Sequence, residues 1–160
     1  MLIGNARPAK TIEFIRTHNI PFCTAWSFQA ESTNPQIGFN NFAAAYKMGE
    51  QILKKGHRTI GVIGGLTQDN DRATDRIKGI SQCFADHGFP IPQERILETP
   101  YQPEDSATAL DELLRRAPEV TVIFCGNEEF SFLSWLLNVF IISCFRSAGV
   151  DSRSINFLLR

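Results

Sequence analysis

The chain has 160 residues, which is long enough for one domain with a hydrophobic core. Its residues are 43% hydrophobic and 21% charged, the composition of a soluble globular protein. The net charge of −1 argues against a dedicated nucleic-acid-binding surface in these residues, because such surfaces are strongly basic.

Short apolar runs alternate with helical patterns, which predicts βα units around parallel sheets. The predicted strands are residues 2–3, 20–24, 36–39, 59–63, 95–99 and 120–125. The predicted helices are residues 8–18, 42–55, 73–87 and 103–117. The unbroken apolar strands are typical of parallel strands that helices cover on both faces. The fold class is therefore α/β.

Several helix ends carry specific signals. Asn40 and Asn41 both offer an N-cap for the second helix. Gly56 and Gly88 stand where helices end in a left-handed residue. Pro103 is in the first turn of the last helix, where proline is tolerated.

The cysteines predict no metal site and no disulfide framework. No two of them have metal-ligand spacing, no CxxC is present, and all have apolar neighbours: Cys23, Cys83, Cys125 and Cys144. We expect reduced, mostly buried thiols in a cytoplasmic protein. The N-terminal residues are not typical of a signal peptide, since no basic segment precedes a long apolar one.

Residues 130–145 differ from the rest of the chain, because they contain no charge and no clear polar side. The segment is shorter than the roughly 20 residues that a membrane span needs. Three interpretations stay open here: a membrane helix, a buried helix, and a non-native tail such as a frameshift product.

Five stretches carry a specific resemblance to a known family. They are IGFNN at 37–41, AAA at 43–45, KGHRTIGVIGG at 55–65, RIKGI at 76–80 and VIFCGNE at 122–128. In this order and spacing they resemble the LacI/GalR family of transcription regulators, over roughly residues 2 to 129. Trp26 also points to the gluconate-repressor-like subgroup.

The resemblance implies a periplasmic-binding-protein-like fold, in which two subdomains with parallel sheets and flanking helices hold an effector in the cleft between them. It places a partial N-terminal subdomain at 1–58 and a partial C-terminal subdomain at 59–129. A helix-turn-helix headpiece that binds operator DNA would precede them, and the intact protein would be a homodimer without membrane contact. Neither that headpiece nor the first two strands of the family's N-terminal subdomain has a counterpart in this sequence. Residues 130–160 do not resemble the family. We therefore expect an incomplete domain, poorly soluble or partly molten, with a divergent and possibly non-native tail.

Four residues are candidates for ligand contact, because a sugar needs directed hydrogen bonds to its hydroxyls and an aromatic wall for its C–H face. The resemblance maps Arg76 onto the family's effector-contacting arginine; the alternative is a solvated helix arginine. Asn127 follows the last predicted strand and is a candidate contact or a helix N-cap. Tyr101 and Trp26 also follow strands, and each is a candidate aromatic wall or an ordinary packing residue.

Taken together, the sequence predicts an effector-sensing domain of a DNA-binding transcriptional regulator, with a sugar or sugar acid as the effector. The alternative is a periplasmic sugar-binding protein of a transport system. No nucleophile–base set, metal cluster or phosphate-binding glycine loop is found, so we expect neither an enzyme nor a cofactor.

Overall fold

Two parallel sheets organise the chain in the computed structural model, which describes residues 1–127 and the backbone of 141–143. The first sheet has the order β1-β2-β3, formed by Leu2–Ile3, Thr24–Ala25 and Gln36–Ile37. The second has the order β5-β4-β6-β7, with β4 Ile60–Gly65, β5 Ile96–Thr99, β6 Val122–Cys125 and β7 Ile141–Ser143. All its strand pairs are parallel, so the carboxyl ends of its strands lie along one edge.

The helices are α1 Ala9–Thr17, α2 Asn41–Lys54, α3 Asp71–Asp86 and α4 Pro103–Arg116, with a 3-10 turn at Gln93–Arg95 before β5. The predicted α/β class and parallel sheets are confirmed. The strand predicted over residues 20–24 is wrong in extent, because β2 begins only at Thr24. Pro21 has no N–H to donate to a ladder, and the pairing with β1 starts beyond it.

The helix ends follow the local sequence. Asn40 is the N-cap of α2, since its side-chain oxygen accepts a hydrogen bond from the Ala43 N–H at 2.8 Å. Asn41, the other candidate, lies inside the helix and is buried. Gly56 and Gly88 have φ values of +92° and +83°, which confirms the predicted left-handed residues after α2 and α3.

Helices cover both faces of the second sheet because successive strand residues point to opposite faces. Val62 and Phe124 face a cluster built mainly from α2 and α3. Ile63 and Ile123 face the opposite way, toward Leu110 and Leu113 of α4. This three-layer arrangement contains most of the hydrophobic core of the described residues.

The packing of α2 bears on the subdomain boundary. Its buried residues Ala45, Met48 and Ile52 belong to the cluster on the second sheet, although α2 precedes the boundary predicted at residue 58. The division into subdomains stays a prediction, and from this packing we propose a boundary just before α2.

The first sheet is thinly covered. No residue of α1 is buried, and Phe14 is 57% exposed.

Among the described residues, no helix is long and apolar enough to cross a membrane. A helix throughout 130–145 is also wrong, because the backbone of β7 forms a strand beside β6. The other statements about 130–160 lie outside the described residues.

Candidate ligand-binding site at the carboxyl ends of the strands

Arg76 reaches from α3 to the carboxyl end of β6. Its Nε donates to Oδ1 of Asn41 at 2.8 Å, and its Nη1 donates to the carbonyl oxygen of Gly126 at 2.5 Å. The residue is only 6% exposed, so it is not the solvated helix arginine of the alternative interpretation. Burying a guanidinium is costly unless acceptors replace its water, and these two oxygens contribute to that replacement.

Asn127 lies beside this arginine. It follows β6 directly and shares a peptide bond with Gly126, whose carbonyl oxygen Arg76 binds. The residue is half-buried. The structure therefore brings Arg76 and Asn127 together at one strand end. Whether Asn127 caps a following helix lies outside the described residues.

Tyr101 follows β5 and lies over the end of β4. A Cβ at Gly65 would collide with the phenol group, so the absence of a side chain there makes room for the ring. The hydroxyl oxygen accepts a hydrogen bond from Nδ2 of Asn70 at 2.9 Å, and Asn70 is also the N-cap of α3. The ring keeps a solvent-accessible face, with 37% of the residue exposed.

Trp26 directly follows β2 in a conformation that few bulky residues adopt, with φ at +67°. Its N–H donates to the carbonyl of Ile37 at 2.8 Å, and its own carbonyl accepts from Nδ2 of Asn41 at 3.0 Å. The residue is 53% exposed. A strained backbone that presents an aromatic ring to solvent is typical of binding sites.

The four predicted residues are brought together unequally. Asn41 joins Trp26 to Arg76, and Arg76 joins that pair to the strand end at Asn127. Tyr101 follows β5, which β4 separates from β6 along the same edge, and its ring lies over the end of β4.

Sequence reasoning missed a second polar contact between the first sheet and α3. The Asn5 N–H donates to Oδ2 of Asp71 at 2.8 Å, and the Asn5 side chain donates to Oγ of Ser27 at 3.0 Å. Gly4 has φ at +71°, and a Cβ on it would lie 2.5 Å from Oδ1 of Asp71. The available signal was a Gly-Asn pair directly after a strand, in the position of a turn.

A cavity of about 330 Å³ lies between the end of β1, α1 and the loop before β3. Its lining is mostly polar and includes Asn5, Arg7 and Glu31. None of the four predicted site residues lines it. Among the residues that the structure describes, no group of three or more His, Cys, Asp or Glu side chains could hold a metal ion.

Comparison with known proteins identifies the family. Residues 8–138 match the family described as "Periplasmic binding proteins and sugar binding domain of LacI family". The chain belongs to this family, which confirms the predicted membership. The match extends to residue 138, and the divergence expected over 130–160 stays a prediction.

Two curated relatives are regulators by name. The chain is 30% identical to the HTH-type transcriptional repressor PurR of Klebsiella pneumoniae over 89 residues, which are 56% of this chain and 26% of PurR. It is 22% identical to catabolite control protein A of Priestia megaterium over 120 residues, which are 75% of this chain and 36% of that protein. The chain thus matches about a quarter to a third of the length of these relatives.

Solved structures show the same fold. The regulator GntR of Chromobacterium violaceum superposes with a TM-score of 0.77 at 18% identity, covering 89% of this chain and 55% of GntR. A regulator described as LacI from Bacillus cereus subsp. cytotoxis has a TM-score of 0.73 at 23% identity, covering 86% and 52%. The CelR–cellobiose complex has a TM-score of 0.71 at 18% identity, covering 84% and 41%. The periplasmic-binding-protein-like fold is confirmed, and the gluconate-repressor-like subgroup stays a prediction.

Proposed function

We propose that this chain is the effector-sensing part of a transcriptional regulator, and that its effector is a sugar or a sugar acid. The effector binds at the carboxyl ends of the strands, between the first sheet and the second. Family membership and the regulator names of the relatives support this proposal over the transport-protein alternative.

The observation that carries the proposal is the chain of contacts from Trp26 through Asn41 to Arg76. It joins the backbone of a half-exposed tryptophan to a buried guanidinium at the strand ends, where open α/β sheets bind ligands. An aromatic ring suits the C–H face of a sugar, and a guanidinium suits paired hydroxyls or a carboxylate. Asn127 adds an amide that can donate and accept at once.

For the whole protein we propose a cytoplasmic homodimer that binds operator DNA through a helix-turn-helix outside these 160 residues. Effector binding would favour one relative orientation of the two subdomains and thereby change the affinity of the paired headpieces for DNA. This mechanism needs no chemical step, so no catalytic residue is assigned.

Isothermal titration calorimetry of the 160-residue chain tests the proposal. The probes are D-glucose, D-galactose, cellobiose, D-gluconate and D-galacturonate, each titrated into the wild type and into Arg76→Lys. A lysine keeps the charge but cannot make the forked contact, so we expect roughly a tenfold to hundredfold weaker affinity. Arg115→Lys on the exposed side of α4 is the matched control and should bind as the wild type does.

The outcomes separate the ligand classes. Tighter binding of the two acids than of the neutral sugars, weakened by Arg76→Lys, supports a sugar-acid effector. Tighter binding of a neutral sugar supports a sugar. A folded chain that binds none of the five probes, or binds one equally well after Arg76→Lys, contradicts the proposed site.

A further inference from the structure

Asn41 is buried at the crossover between the two sheets. It is the first residue of α2, follows the N-cap Asn40, and is 1% exposed. Its side chain is therefore shielded from solvent. Burying an amide costs free energy of folding unless its polar atoms form hydrogen bonds inside the protein.

The amide is bonded on both of its polar atoms. Oδ1 accepts from Nε of Arg76 at 2.8 Å. Nδ2 donates to the carbonyl of Trp26 at 3.0 Å and, at the longer distance of 3.4 Å, to the carbonyl of Phe39. These contacts occupy three of the four hydrogen bonds that an amide can make. Because the amide is planar, one rigid group fixes the spacing between the guanidinium and the tryptophan backbone.

The hydrogen bond from Asn41 to the Trp26 carbonyl stabilises an unfavourable backbone conformation. A tryptophan at positive φ persists only when its surroundings hold it. The neighbouring strand end crowds the same turn, since a Cβ on Gly38 would lie 2.6 Å from the backbone nitrogen of Ser27. The Asn41 amide donates to the Trp26 carbonyl in this turn.

We propose that Asn41 is a positioning residue for the ligand site, which holds Trp26 and Arg76 in one fixed relation. The inference rests on the proposed function in so far as those two residues contact the ligand. Asn41 itself acts through them and does not touch the effector.

Three variants of the full chain separate the two halves of the amide. Asn41→Asp keeps an acceptor for Arg76 and removes the donor to Trp26, whereas Asn41→Ala removes both. Asn40→Asp is the matched control: it adds the same charge one residue earlier and keeps an effective N-cap.

Two ligand-free NMR readouts report on the two partners. The ¹⁹F resonance of 5-fluorotryptophan at position 26, assigned with Trp26→Phe, reports on the turn. The Nε–H resonance of Arg76, assigned with Arg76→Lys, reports hydrogen exchange with water. We expect Asn41→Asp to shift the fluorine resonance and leave the exchange slow. Asn41→Ala should shift the resonance and speed the exchange by roughly tenfold to hundredfold, as expected for a lost bond from a charged donor. Asn40→Asp should change neither.

The pattern is specific to positioning, because a merely structural role for Asn41 would alter both readouts together in both variants. The proposal is overturned if Asn41→Asp leaves the fluorine resonance unmoved, if Asn40→Asp shifts it equally, or if Asn41→Ala leaves the exchange slow. Should circular dichroism show the Asn41 variants unfolded, Arg76→Lys replaces them: an unmoved fluorine resonance there overturns the proposal, and a shifted one supports it.

Sugar titrations of the same samples keep this inference apart from the proposed function. The expected NMR pattern without binding of any probe contradicts the function and leaves the positioning intact. Binding of a probe without the expected NMR pattern supports the proposed function and contradicts the positioning role of Asn41.

Discussion

Replacing Gly79 with alanine adds one methyl group at the closest approach of α2 and α3. The new Cβ would lie 3.0 Å from the carbonyl carbon of Phe42, with the carbonyl oxygen nearer still, and 3.1 Å from Cβ of Ala45. Phe42 belongs to the first turn of α2, and its carbonyl is main chain, so it cannot rotate away as a side chain would. The two helices must move apart by roughly 0.5–1 Å to restore ordinary contact distances.

The expected cost combines two opposing terms. Alanine is favoured over glycine in a helix interior by about 1 kcal/mol, and overpacking a close contact costs about 1–3 kcal/mol or more. We expect the overpacking cost to lie near the upper end of its range, because separating the helices also loosens the packing of Ile80 and Ala45, which are fully buried. We expect Gly79→Ala to lower the free energy of unfolding by about 2 kcal/mol. The hydrogen bond from Arg76, one turn earlier on α3, to Asn41 should become longer than its present 2.8 Å and therefore weaker.

Urea denaturation followed by circular dichroism measures the change as a lower midpoint at an unchanged slope. Ser81→Ala on the same helix is the control, because its hydroxyl is buried without a hydrogen-bond partner among the described residues. Removing that hydroxyl and gaining helix propensity should stabilise the chain by about 1 kcal/mol. A Gly79→Ala chain as stable as the wild type would refute the reasoning, since it would mean that α2 and α3 do not approach as the structure shows.

Two further predictions concern titratable groups. Hydrogen bonds from Arg115 and then Arg116 lower the pKa of the half-buried Glu112 carboxyl to about 2. The stabilising effect of the ionised carboxylate is complete above the ordinary pKa of 4.5 and is lost as pH falls toward 2. The stability difference between wild type and Glu112→Gln should therefore shrink over that range, and a constant difference in acid melts would contradict the prediction. Burial raises the pKa of Cys83 to about 11, with Glu50 and Asp86 adding to it, and that of Cys125 to about 12. Because the thiolate is the reactive form, both should resist iodoacetamide at pH 8 in the native chain and react in urea, as mapped by peptide mass spectrometry.

The sequence predicted the second sheet better than the first, for a physical reason. Strands β4 and β6 are unbroken apolar runs buried on both faces, which gives a strong local signal. Strands β1, β2 and β3 have two residues each, so their pairing depends on tertiary contacts that no short window contains. Helix ends were predictable because Asn caps and left-handed glycines act locally.

The candidate site residues could be proposed from the sequence, but the hydrogen bonds that connect them could not. Strand-end positions and family resemblance pointed to Trp26, Arg76, Tyr101 and Asn127. Asn41 could be read from sequence only as an N-cap candidate, because its actual partners are 15 and 35 residues away. Side-chain hydrogen bonds of such range carry no periodicity, so only the folded structure reveals them.

Both polar contacts that connect the first sheet to the second part of the structure end on helix α3. Its first residue, Asp71, accepts the Asn5 N–H at the end of β1, and Arg76, five residues later, binds Asn41, which in turn binds the Trp26 carbonyl at the end of β2. The carboxyl ends of β1 and β2, two neighbouring strands of the first sheet, are therefore both connected to α3. If a ligand binds the Arg76 guanidinium as proposed, we expect its effect to act on α3 as a whole, so that the bond at Asp71 either lengthens or moves with the helix. We therefore predict that ligand binding at Arg76 changes the relative orientation of the two sheets through α3 as well as through the chain crossover.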